Sequence, residues 1–85
     1  MSRKQKPPKE FKIKAAWDPE AQVWYVENSD IPGLMTEAAT LESLSEKIGT
    51  MIPELLRMND PEFFTRHRVP FRLVGERLEE IELAV

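Results

Sequence analysis

Apolar and polar residues alternate from Phe11 to Trp17: Phe11, Ile13, Ala15 and Trp17 are separated by Lys12, Lys14 and Ala16. A period of two marks a half-buried strand, here with one lysine-bearing face. Asp18-Pro19-Glu20-Ala21 interrupts it. Proline at the second position of a tight turn holds φ at about −65°, and the preceding aspartate can accept bonds from the backbone ahead of it. The stretch therefore predicts a hairpin loop. Gln22 to Asn28 is dense in β-branched and aromatic residues and predicts the second strand. Alternation sets Val23 and Tyr25 on one face and Trp24 and Val26 on the other, and both faces are apolar. One packs on the core; the other is open to cover by a partner or by the N-terminal tail.

Ser29-Asp30-Ile31-Pro32-Gly33 predicts a second turn, type II at Pro-Gly, because glycine supplies the positive φ. Leu34 to Glu37 reads as a short third strand. Thr40 is placed to cap a helix, with Glu42 in the first turn where the helix dipole favours an acid. Leu41, Leu44, Ile48, Met51, Ile52 and Leu55 recur at three- and four-residue spacing, which predicts an amphipathic helix to about Arg57. Pro53 lies inside that pattern, and its ring presses on the carbonyl of Gly49. The expectation is one kinked helix rather than two.

Asn59-Asp60-Pro61 ends the helix and can start one further turn through Phe64. In Val69 to Val85, Phe71 and Leu73 flank Arg72, and Ile81, Leu83 and Val85 alternate with Glu82 and Ala84. A long last strand is expected, bulged at Gly75. Leu78, Ile81 and Val85 also suit a helix, so Gly75 to Val85 is ambiguous by period alone. The order is β-β-β-α-β: an α+β fold with an antiparallel sheet of three to four strands backed by one long helix. It forms one domain, residues 11–85, behind a basic tail, residues 1–10, read as disordered. No internal repeat is visible.

A chain of 85 residues supports one domain. At this size only about 60–65% of the unfolded surface is buried, so dimerisation is a natural supplement. With no cysteine, disulfides and thiolate metal sites are excluded, which suits the cytoplasm. No apolar run approaches the ~20 residues needed to cross a bilayer. The net charge of −3 hides an asymmetry. Met1 to Lys14 carries six Lys/Arg and one Glu, leaving −8 on the remainder. From Ala15 to Glu46 there are seven acids and no Lys or Arg. Such a body repels phosphate and suits a basic partner; direct nucleic-acid binding by it is not expected.

Candidate chemistry is sparse. His67 is the only histidine and sits between Arg66 and Arg68, which disfavour its charged form and do not mark a catalytic base. Asp18, Glu20 and Glu27 are the acids a two-metal nuclease would use, yet two lie in a hairpin loop and the third far along its strand. The glycines Gly33, Gly49 and Gly75 form no phosphate loop. No catalytic, cofactor or metal site is expected, and the chain reads as a non-enzyme.

The segment from Lys14 to Leu56 resembles the HicB-like antitoxin family, in its short DUF1902 subgroup. The resemblance rests on Trp17-Asp18-Pro19-Glu20, Trp24 to Val26, Asp30-x-Pro32-Gly33-Leu34 with Thr36-Glu37, Thr40-Leu41-Glu42-x-Leu44, and Met51-Ile52-Pro53-Glu54-Leu55-Leu56. It implies a β-β-β-α-β fold related to part of the ribonuclease-H fold, without that enzyme's catalytic carboxylates. It also implies a role in type II toxin–antitoxin modules, binding a small basic HicA-like toxin that cleaves mRNA, and self-association as a homo-oligomer, a dimer first. Full-length members add a C-terminal DNA-binding domain; no residues follow the last strand here to build one. The expected function is occlusion of the toxin, with Trp24, Val26, Glu27, Asp30 and Glu37 at the interface. The alternatives are a metal-dependent ribonuclease-H-like nuclease and a homo-oligomeric structural protein.

Overall fold

In a computed structural model, which describes residues 10–59 and 68–84, the alternating segment forms β1, Phe11–Asp18. Strand β2, Val23–Ser29, returns antiparallel to it. The loop between them is built as its sequence predicts. Asp18 Oδ1 accepts bonds from the amides of Glu20 (3.0 Å) and Ala21 (3.2 Å), and the Gln22 amide donates to the Asp18 carbonyl at 2.7 Å. Gln22 takes a left-handed φ of 60°, which lets the chain re-enter the ladder. At the other end of β2, Gly33 has φ 85° and the Leu34 amide donates to the Ile31 carbonyl at 3.3 Å. That is the expected Pro-Gly turn.

The third strand is shorter than expected. β3 is Glu37–Ala38 alone, paired with Tyr25 and Trp24. Leu34 is buried in the loop before it, because a side chain that plugs the core there needs no ladder. Helix α1, Leu41–Asn59, then runs unbroken past Pro53. Its N-cap is Thr40, whose Oγ1 accepts the Ser43 amide at 3.0 Å. At the far end Asn59 Nδ2 donates to the Leu55 carbonyl at 2.9 Å. The turn expected over residues 60–64, His67 and the basic tail up to residue 9 lie outside the described residues.

Nothing lies within 4 Å of the point where a Cβ on Gly49 would stand, and the residue is exposed on α1. Gly49→Ala is therefore expected to raise stability by about 0.5–1 kcal/mol, the usual cost of glycine inside a helix. Urea unfolding checks this; a loss would show that Pro53 needs a bare backbone four residues before it.

Strand β4, Phe71–Glu76, completes a sheet of order β3-β2-β1-β4. The α+β class and the element order are as expected, but the sheet is mixed rather than wholly antiparallel: β4 runs parallel to β1. The cause is the helix. A 19-residue helix is about 28 Å long and carries the chain from the β3 edge across to the opposite edge, and a strand returning after such a crossover runs parallel. The expected bulge also moves. Gly75 pairs in register with Ala15, and the irregularity falls in β2, where Glu27 is the extra residue between Asn28 opposite Lys14 and Val26 opposite Ala15. The last strand ends at Glu76; residues 77–84 continue as an arm with no ladder partner among the described residues.

The core lies between the sheet and α1. Phe11, Ile13 and Ala15 from β1, Ile31 and Leu34 from the turn, Ala38, and Leu44, Ile48, Ile52 and Leu56 from α1 are all buried. Among the described residues no polar or charged side chain is buried with them. This is an apolar seam one helix wide, so the opposite face of the sheet receives nothing from it.

Candidate partner-binding face of the sheet

Pairing fixes which side chains share that opposite face, since residues directly across a ladder point the same way. Ala16 stands opposite Tyr25 on one side and Glu76 on the other, and Tyr25 stands opposite Glu37. One row therefore crosses all four strands as Glu37, Tyr25, Ala16, Glu76: two acids flanking an aromatic and a small residue. Tyr25 is 36% exposed, although it sits mid-sheet. Nearer the other end, Lys14 lies opposite Val74, and Lys12 opposite Arg72. The face is thus acidic and aromatic at the hairpin end and basic at the other.

The basic end is largely charge-paired. Lys14 Nζ reaches Glu76 at 3.1 Å and Glu27 at 3.5 Å, tying three strands together. These contacts, Glu76 first, raise the Lys14 pKa. Arg72 donates from Nε and Nη2 to the two carboxylate oxygens of Glu10. Those bonds hold the Glu10 carboxyl below its ordinary range; slight desolvation opposes them, and the Arg72 and Lys12 charges add to them. A depressed carboxylate contributes stability above its unfolded pKa, lost as pH falls through the folded value. Both groups are open to solvent, so the effect is small and salt-screened. The Glu10 titration followed by carbon-13 NMR is expected below the normal glutamate midpoint, and to return upward in Arg72→Ala. An unchanged midpoint would show that the pair does not form in solution.

The five residues expected at an interface do not share one surface. Trp24 and Val26 point to the helix side and pack against the core. Trp24 lies 5.5 Å from Trp17, ring centre to ring centre. Glu27 and Glu37 belong to the open face. Asp30 closes the end of the β1–β2 ladder: its Oδ2 accepts the Lys12 amide at 2.8 Å and its own amide donates to the Lys12 carbonyl at 3.1 Å. Tyr25 and Glu76 are the members of the row that sequence reasoning left out. Tyr25 was legible as the residue opposite in phase to Trp24, but period two does not say which phase faces out. Glu76 could be placed only once β4 was known to lie beside β1.

Asp18, Glu20 and Glu27 do not converge either. Asp18 is engaged by its own turn and Glu27 by Lys14. Among the described residues no three His, Cys, Asp or Glu side chains are grouped to hold a metal ion. None of the described helices is long and apolar enough to cross a membrane.

Such a molecule is a small α+β domain with one packed face and one open, charge-patterned face. The chain belongs to the family described as Domain of unknown function (DUF1902), whose model matches residues 10–84. Among solved structures it is similar to the hypothetical protein TTHA1013 from the extremely thermophilic bacterium Thermus thermophilus. The two share 41% identity over 88% of this chain and 100% of that one, with a TM-score of 0.61. Among curated proteins none matches.

Proposed function

We propose that this chain is a non-enzymatic, HicB-like antitoxin module of a type II toxin–antitoxin system, working in the cytoplasm. It neutralises a small basic mRNA-cleaving toxin by covering the cationic surface that would otherwise hold RNA phosphates. The observation that carries the reading is the row Glu37, Tyr25, Ala16, Glu76 on the open face. The Glu37 carboxylate at one end can pair with Lys or Arg of a partner, Glu76 at the other is shared with Lys14 of its own chain, and a half-exposed tyrosine between them supplies apolar contact, as interface aromatics do. The run of seven acids without a base from Ala15 to Glu46 supports the same partner chemistry. The sequence resemblance described above supplies the toxin class.

The test pairs the purified chain with a small basic HicA-like toxin and follows cleavage of a model mRNA. Equimolar chain is expected to suppress cleavage, with suppression weakening as salt rises. Tyr25→Ala combined with Glu37→Lys is expected to weaken inhibition at least tenfold while leaving the far-ultraviolet circular dichroism unchanged. Absence of a complex at low salt would refute the proposal. So would metal-dependent RNA cleavage by this chain alone that is lost in Asp18→Ala.

A further inference from the structure

The arm after β4 keeps the alternating apolar pattern of a strand but has no ladder partner among the described residues. Residues 77–84 leave the sheet with Leu78, Ile81 and Leu83 exposed at 91%, 81% and 79%. Its first residue is anchored: the Arg77 guanidinium carbon lies 4.1 Å from the Trp17 ring centre, and Arg77 Nε pairs with Glu79 at 2.8 Å. Beside it, β4 forms the edge of the sheet, with β1 on one side and no described strand on the other. Six residues of open edge are a template for further pairing. The other edge, β3, is only two residues long. Phe71 and Leu73, which point to the helix side of β4, pack against the core but are only half-buried along this edge.

We infer that the arm of each chain pairs antiparallel with the β4 edge of a second copy, joining two four-stranded sheets into one through a two-fold axis at Arg77. The occupant is a second copy because this chain's own residues complement one another in that register. With Arg77 on the axis, Ile81 falls opposite Leu73 and Leu83 opposite Phe71. Both pairs lie on the helix side, where each adds apolar contact to a half-buried side chain of β4. Glu82 falls opposite Arg72 on the open side, where it meets the outer edge of a guanidinium already held by Glu10 of its own chain. A register shifted by one residue breaks all three matches and turns the apolar pairs to opposite faces. The two Arg77 residues meet at the axis already occupied by Trp17 and Glu79 of their own chains. The contact is isologous and closes at two copies. It leaves the Glu37–Tyr25–Ala16–Glu76 row uncovered, so it does not rest on the toxin reading.

The experiment is the mass of the full chain by light scattering and sedimentation at micromolar concentration. Twice the 9.9 kDa chain mass is expected. Ile81→Asp with Leu83→Asp is expected to give monomer with an unchanged circular dichroism spectrum, since both side chains are exposed in the single chain. Arg72→Glu alone and Glu82→Arg alone are each expected to weaken dimerisation about tenfold, because the dimer contains the pair twice. The double variant Arg72→Glu/Glu82→Arg is expected to restore it. A monomeric wild type, a dimer that survives the aspartate variant, or a charge swap that fails to restore association would each overturn the inference. None of these readings needs a toxin: a dimer that binds no toxin would refute the proposed function and leave this contact standing.

Discussion

Replacing Ile48 with alanine is expected to lower unfolding free energy by about 3–4 kcal/mol. Ile48 is fully buried midway along α1, between Leu44 and Ile52 on the seam packed against the sheet. Truncating such a side chain removes its transfer free energy and leaves a cavity, in total about 2–5 kcal/mol. The upper half of that range applies because the seam is one helix wide and cannot close the gap from a second layer. Domains of this size have about 5–10 kcal/mol in all, so the variant would lose about a third or more of its stability. Urea unfolding at fixed protein concentration is the measurement, with a lower midpoint and an unchanged slope. A cost below about 1 kcal/mol would mean that α1 does not press on the sheet at this point.

The second large effect is expected at Gly75. A Cβ there would stand 2.8 and 3.1 Å from the two Leu41 methyls and 3.1 Å from Trp24 Cζ3. Leu41 is a half-buried side chain at the start of α1 and can rotate away. Trp24 cannot follow as easily, because its ring is wedged beside Trp17. Gly75→Ala is therefore expected to cost less than about 1 kcal/mol, and Gly75→Val about 2–3 kcal/mol, in the range for overpacking a filled site. Strand propensity alone predicts the opposite sign, since valine is favoured in strands and glycine is not. A stabilised Gly75→Val chain would thus show that the Trp24–Leu41 contact yields, and that the glycine is there for some reason other than space.

The candidate row on the open face was half legible. Tyr25 and Glu37 lie within segments whose strand character follows from composition, so their alternation was readable. The choice of which phase faces the helix was not. Val23 and Tyr25 are as apolar as Trp24 and Val26, and a period of two is blind to direction. What decides it is the partner surface: Trp24 fills the corner formed by Trp17, Ala38, Leu41 and Gly75, which no local pattern shows. Asp30 has a local role that its sequence position does not show. An exposed acid in a turn looks available, yet its carboxylate completes the ladder of a strand 18 residues earlier.

By itself the sequence determined the local elements of this protein: two alternating strands, an Asp-Pro loop, a Pro-Gly turn and a capped amphipathic helix that tolerates Pro53. Each depends on interactions within a few residues, where side-chain period and φ preference act directly. Only the tertiary structure decided that β4 lies parallel to β1, that the bulge belongs to Glu27, that Trp24 and Val26 pack against the core, and that the strand pattern beyond Glu76 finds no ladder partner among the described residues. Those outcomes depend on which distant segments meet, and the free energy that selects them is the burial of one shared apolar seam rather than the preference of any residue in it.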